Sequence, residues 1–195
     1  MTITVKAEIH ETISVLQALM EDRAQVVCIS ALVEKIVTAF KSHNKVLLAG
    51  NGGSAADAQH MAGEFVSRFK YDRPGLPAFA LTVDTSVITA IGNDYGYETL
   101  FARQLRASGQ KGDVFWAYST SGRSANILRA LEVAREMEIF TVGFTGNGPD
   151  TDHMRSLADL CIAVPSTSTP KIQEGHLVCG HIVCGMVEER MFPCV

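Results

Sequence analysis

The sequence predicts an α/β protein: a three-layer, doubly wound parallel sheet of five strands, preceded by a helical extension. Three observations carry this. Five short apolar runs, bounded by glycine, proline or polar residues, read as buried strands. Segments of helical periodicity separate them, which makes the strands parallel and places helices on both faces. Two of the runs, ending at Ala49 and Tyr118, pass straight into turns of glycine and small hydroxyl residues that open a helix.

Residues 4–40 read as helical: Ile9, Ile13, Leu16 and Met20 repeat at three and four, as do Ile29, Leu32, Val33, Ile36, Val37 and Phe40. The 195 residues are expected to form one domain, with N-terminal helices over 1–42 and an α/β core over 43–195. The apolar surface of the lead-in must pack on the sheet or on another subunit. Residues 46–49 form the first strand; Gly50, Gly52 and Gly53 allow positive φ and close approach of a ligand. Ser54 is the expected N-cap of the next helix, which the alanines after it favour. Residues 77–83 read as the second strand, Asp84 to Ser86 as the cap of a short helix through Ile91, and 92–96 as a turn cluster. A helix over 97–108 is broken by Gly109. The third strand, 114–118, runs into Ser119-Thr120-Ser121-Gly122-Arg123-Ser124 and a helix over about 124–138. Strands at 139–144 and 160–164 follow, with loops at 146–150 and 166–169, and a last helix runs from Lys171 to about Met191.

Composition narrows the function. A formal net charge of -4 argues against a broad nucleic-acid surface, so an anion must be held by local backbone donors or a few side chains. The N-terminus lacks the pattern of a signal peptide, and no apolar run is long enough to span a membrane. Five cysteines without a Cys-x-x-Cys fit reduced thiols, hence a cytoplasmic protein.

The two strand-to-helix turns suit phosphate. Unpaired N–H groups and a partial positive charge sit at each helix N-terminus, and clustered hydroxyls can complete the shell without a lysine. Both turns lie at the carboxyl ends of strands, where such sheets bind ligands. His60 and Glu64, four apart, share a helix face. On the last helix, Gln173 and His181 are about 80° apart and His176 and His181 about 140° apart. The two histidines therefore do not converge, and either Gln173 or Glu174 can partner His181. Cys179 and Cys184 fall on different faces from His181 and read as core residues.

Together, Gly50-Asn51-Gly52-Gly53-Ser54, the hydroxyl turn 119–124 and Ile172-Gln173-Glu174-x-His176-x4-His181 resemble the sugar isomerase (SIS) family, and within it the phosphoheptose isomerases, over about residues 8 to 192. The resemblance implies a flavodoxin-like sheet and a homotetramer with active sites at subunit interfaces. It implies that Ser54, Ser119, Thr120, Ser121 and Ser124 hold a sugar phosphate, that Asn51, Gly52 and Gly53 line the sugar end, and that Asn93 and Asp94 reach the site. It implies one zinc per subunit on His60, Glu64, Gln173 and His181, with Gln173 also near substrate. Thr169-Pro170-Lys171 departs from relatives that carry an acidic residue there.

The implied reaction converts sedoheptulose 7-phosphate to D-glycero-D-manno-heptose 7-phosphate, the first step toward ADP-heptose and the lipopolysaccharide core. Its cis-enediol chemistry needs a base between C1 and C2, for which Glu64 is suited, and a proton shuttle between O1 and O2, for which His181 is suited. A rival branch of the same fold binds the replication initiator DnaA without catalysis, but resembles this chain least at Glu64 and His181. An isomerase of another sugar phosphate, or a sugar-binding regulator, is the remaining alternative.

Overall fold

In a computed structural model, which describes residues 4–193, five strands form one parallel sheet in the order β2-β1-β3-β4-β5. The strands are β1 (Val46–Ala49), β2 (Ala78–Ala80), β3 (Val114–Tyr118), β4 (Phe140–Thr145) and β5 (Leu160–Ala163). Chain direction across the sheet reverses between β1 and β3, the switch point at which flavodoxin-like sheets bind ligands. Ala49 pairs with Ala117 there, so the turns leaving β1 and β3 lie side by side.

The helices are α1 (Val5–Glu21), α2 (Arg23–Lys41), α3 (Gly53–Val66), α4 (Thr85–Tyr95), α5 (Leu100–Ser108), α6 (Ala125–Glu136), α7 (Asp152–Leu157) and α8 (Thr169–Met191), with a 3-10 turn at Tyr97–Thr99. Strand alternation divides the core in two. Val46, Leu48, Trp116, Tyr118, Val142 and Phe144 face α2, α3 and α8. Leu47, Ala49, Phe115 and Ala117 face α5 and α6. Cys179 and Cys184 are buried core residues, as their spacing suggested.

Several local expectations are revised. The helical lead-in is two helices, because Asp22 adopts an extended backbone and its carboxylate accepts from Ala24 N and Gln25 N, capping α2. Ser54 is not the cap of α3. Gly52, at φ +57°, takes that place, and Ser54 is a buried helical residue. Residues 92–95 continue α4 rather than forming a turn, and Gly96, at φ +84°, ends it. Here helix continuation from the Asp84 cap overrides the local turn preference of Gly92 and Asn93. The second strand shortens to three residues. Helix α7, unanticipated, places Met154 over Gly143 of β4, where a Cβ would meet Met154 Cε at 3.0 Å.

Candidate active site

The turns after β1 and β3 form the walls of a pocket of about 330 Å³. Asn51, Gly52, Gly53 and Ser54 stand on one side, and Ser119, Thr120 and Ser124 on the other, with Thr169 and Gln173 of α8 completing it. Neither α3 nor α6 has a side-chain cap, in contrast to α1, α2 and α4, which Thr4, Asp22 and Asp84 cap. Ser54 N, Ala55 N and Ile127 N bond to the Asn51, Gly52 and Ser124 carbonyls, so the N–H groups that suit an anion are those that precede them, Gly53 N on α3 and Ala125 N and Asn126 N on α6. The hydroxyl turn is held in shape from within: Ser119 Oγ and Ser124 Oγ are 2.9 Å apart, and Gly122, at φ +68°, lets the chain turn back over Thr151. Ser121 lies outside this pocket, lining a neighbouring hollow with Arg123 and Asp150.

Helices α3 and α8 run side by side in the same direction, and this sets the rest of the site. At their N-terminal ends Gln173 lies against Gly53, so closely that a Cβ on Gly53 would be 2.5 Å from Gln173 Nε2. About two turns along, His60 Nε2 is 2.9 Å from Glu64 Oε1 and 3.2 Å from His181 Nε2. These three side chains each offer a ligand atom, all within 4.8 Å of one another. They could hold a metal ion. Gln173 lies about 12 Å of helix rise before His181 and is placed at the pocket rather than beside the imidazoles. Glu174 turns the other way: its carboxylate accepts from Thr12 Oγ1 at 2.6 Å and lies 3.4 Å from Lys171 Nζ, tying α8 to α1. Of the two partners the spacing allowed for His181, neither is used; His60 and the ring of Phe69 flank it. His176 is buried apart from them, its Nε2–H donating to the Thr145 carbonyl, as the 140° separation required. Asn93 and Asp94 are exposed on α4, bonded to each other at 2.7 Å, and do not line the pocket.

Residues that sequence reasoning passed over support the cluster. Arg73 donates to the carbonyls of Glu64, Phe65 and Ser67, capping the end of α3, and its Nε donates to Glu188 Oε1 at 3.0 Å. Glu188 on α8 also accepts from Phe69 N and Lys70 N. Burial alone would raise the Glu188 carboxyl, but these donors and the guanidinium outweigh it and hold it below its ordinary value. Asp57, one turn before His60 and Met61, is pushed up to about 6 by burial, with His60 pulling the other way. Asn126 pairs with Asn51 across the two turns. Its signal was legible: a polar residue on the face of α6 that carries Ala130, Val133 and Ala134 into the core.

A phosphate-ready switch point combined with an imidazole–carboxylate cluster defines a sugar-phosphate protein of the SIS class, and the SIS domain family model matches residues 9–146. A phosphoheptose isomerase of Aneurinibacillus thermoaerophilus is 55% identical over 188 residues, covering 96% of this chain and 94% of that one. One of Burkholderia pseudomallei (strain 1710b) is 58% identical over 184 residues, covering 94% and 92%. The solved structure of a phosphoheptose isomerase from Neisseria gonorrhoeae superposes with a TM-score of 0.87 at 37% identity, covering 95% of this chain and 97% of that one. The chain belongs to the phosphoheptose isomerase family of SIS-domain proteins.

Proposed function

We infer that this protein is an aldose–ketose isomerase that converts sedoheptulose 7-phosphate to D-glycero-D-manno-heptose 7-phosphate, supplying ADP-heptose and lipopolysaccharide core synthesis in the cytoplasm. The carrying observation is a site with two ends on one pair of helices. The phosphate pocket lies at the start of α3 and α8, where the turns after β1 and β3 meet Thr169 and Gln173, and the His60–Glu64–His181 cluster stands about 10 Å of helix rise further along α3. That separation suits a long phosphorylated sugar, and the names of the relatives point to a heptose.

Ser54, Ser119, Thr120 and Ser124, with the uncapped amides of α3 and α6, bind the phosphate; Ser121 and the Asn93–Asp94 pair are assigned to the site by family resemblance. Asn51, Gly52, Gly53 and Gln173 line the path toward the reacting carbons. Glu64 Oε1 faces His60, leaving Oε2 to take a proton from C1 and return it at C2. His181 moves the proton between O1 and O2 of the enediol.

The donor set suits zinc. Two imidazoles and a carboxylate are usual zinc ligands, and the 3.2 Å separation of the two imidazole nitrogens suits the edge of a tetrahedron with bonds of about 2.0 Å. His60, Glu64 and His181 would hold the ion; Gln173, the fourth ligand by family resemblance, stands at the pocket instead. Bound zinc would polarise the carbonyl and hydroxyl oxygens and so favour enediol formation. We further propose a single domain over 1–195 assembled as a homotetramer. The apolar residues left exposed on α1, α2 and α8, among them Ile13, Met20 and Ile182, supply an interface.

The test is an assay of the purified protein, with its zinc content measured, on sedoheptulose 7-phosphate and fructose 6-phosphate side by side. Turnover of the heptulose with about one zinc per subunit is expected. Faster turnover of fructose 6-phosphate would overturn the substrate assignment. Inertness toward both in zinc-supplemented buffer, with capture of a replication initiator, would favour the DnaA-binding reading instead.

A further inference from the structure

The side chains of Asn51 and Asn126 form a reciprocal amide pair. Asn51 Nδ2 donates to Asn126 Oδ1 at 2.9 Å, and Asn126 Nδ2 donates to Asn51 Oδ1 at 2.9 Å. Tyr97 OH adds a third bond, donating to Asn51 Oδ1 at 3.0 Å. Asn51 belongs to the turn after β1, Asn126 to the first turn of α6 after the hydroxyl turn, and Tyr97 to the 3-10 turn after α4. Three segments distant in sequence thus meet on one amide beside the pocket. Asn126 is 3% exposed, so its amide needs these partners.

Donor and acceptor counting limits what Asn51 can do. Both lone pairs of its Oδ1 are taken, by Asn126 and Tyr97, and one of its two N–H bonds goes to Asn126. A single N–H is left to face the pocket. We propose that Asn126 and Tyr97 are positioning residues that clamp the Gly-rich turn to the hydroxyl turn, set the gap into which the phosphate fits, and restrict Asn51 to donating one hydrogen bond to a ligand oxygen. The proposal rests on the phosphate reading of this pocket. Its physical logic is preorganisation: two glycine-containing turns are free to drift apart, and a ligand that must draw them together loses affinity by that ordering cost.

The clamp joins the two turns that enclose the phosphate, with Asn51 on the path that leaves it, so its loss should appear in binding and leave the proton transfer about 10 Å away intact. The experiment compares wild type, Asn126→Leu and Tyr97→Phe. The readouts are the dissociation constant of inorganic phosphate, zinc content, and KM and kcat on sedoheptulose 7-phosphate. Asn126→Leu should weaken phosphate and raise KM about tenfold, with kcat within about twofold and zinc unchanged. Tyr97→Phe, at an exposed residue where folding is not at issue, should weaken phosphate about threefold. Unchanged phosphate affinity in Tyr97→Phe and in any folded Asn126 variant overturns the clamp. So does a fall in kcat with KM unmoved. If wild type itself fails to bind phosphate, the phosphate reading of the pocket fails instead, a result distinct from both.

Discussion

In the proposed mechanism Glu64 shuttles the carbon-bound proton through the carboxylate oxygen that His60 does not engage. Glu64→Gln keeps the shape and removes the proton acceptor. It should lower kcat by on the order of 10²–10⁴ while leaving inorganic phosphate binding unchanged, since the proposed phosphate turns lie at the starts of α3 and α6. Steady-state kinetics with phosphate as competitive inhibitor separates the two effects; near-normal turnover would remove Glu64 as the base. His176 gives a prediction of a different kind. Burial lowers it to about 4 from 6.5, opposed by the hydrogen bond to the Thr145 carbonyl, so the folded protein holds it neutral. Between 6.5 and 4 the unfolded chain takes up a proton that the folded chain refuses. This residue's contribution is therefore fully present above about 6.5, declines as pH falls toward 4, and is flat below. The loss is on the order of 3 kcal/mol. Denaturant titrations across that window should show a shallower pH dependence for His176→Gln than for wild type; identical slopes would contradict the assignment.

Two elements, α3 and α8, carry the His60–Glu64–His181 cluster, and the loop after α3 fastens them together. Arg73 caps α3 at the Glu64 and Phe65 carbonyls and pairs with Glu188 on α8, with the two side chains 2% and 0% exposed. Removing the guanidinium leaves a buried carboxylate without its counter-ion. Arg73→Ala should therefore cost about 3–5 kcal/mol of stability, measured by urea unfolding. The sign with pH follows from the depressed Glu188 carboxyl: its stabilisation is present above the ordinary value of 4.5 and is lost as pH falls through the folded value. An Arg73→Ala protein as stable as wild type would show that the two backbone donors suffice. On the opposite side of α8, Lys171 Nζ bonds to Thr12 Oγ1 at 2.9 Å and lies 3.3 Å from Glu8 Oε2. Lys171 thus docks the N-terminal helix onto α8.

At the scale of the molecule, the apolar stripe of the N-terminal helices remains partly uncovered. Ile13 is 51% exposed, Met20 69% and Ile182 44%. A groove of about 490 Å³ between α1, α2 and α8 is lined by Leu16, Leu19, Val26, Ile29 and Val178 among others. An exposed apolar surface of this extent marks a protein contact, and a second copy meets it under the proposed assembly. Light scattering should give a tetramer at micromolar concentration, and Ile182→Glu should give smaller species with loss of activity. A wild-type monomer with full activity would sink both the assembly and a site shared between subunits.

The β–α alternation, the two glycine and hydroxyl turns and the pairing of His60 with Glu64 were legible along the chain because each depends on neighbours in sequence: apolar period, turn composition, and the four-residue repeat of a helix. Periodicity also separated His176 from His181, since an angle on one helix needs no tertiary information. The choice of partner for His181 was beyond that reach. It depended on α3 and α8 lying parallel, which brings His60 to 3.2 Å and turns Glu174 toward Lys171 and Thr12. The end of α4 at Gly96 and the break at Asp22 were decided by helix continuation and capping, in which small local preferences compete and backbone geometry selects one. The Asn51–Asn126 pair spans 75 residues, and the Arg73–Glu188 pair is as far from local. Local sequence can specify a turn that suits a phosphate, but the gap between two such turns, and which distant side chains hold it, is set only when the sheet brings β1 and β3 together.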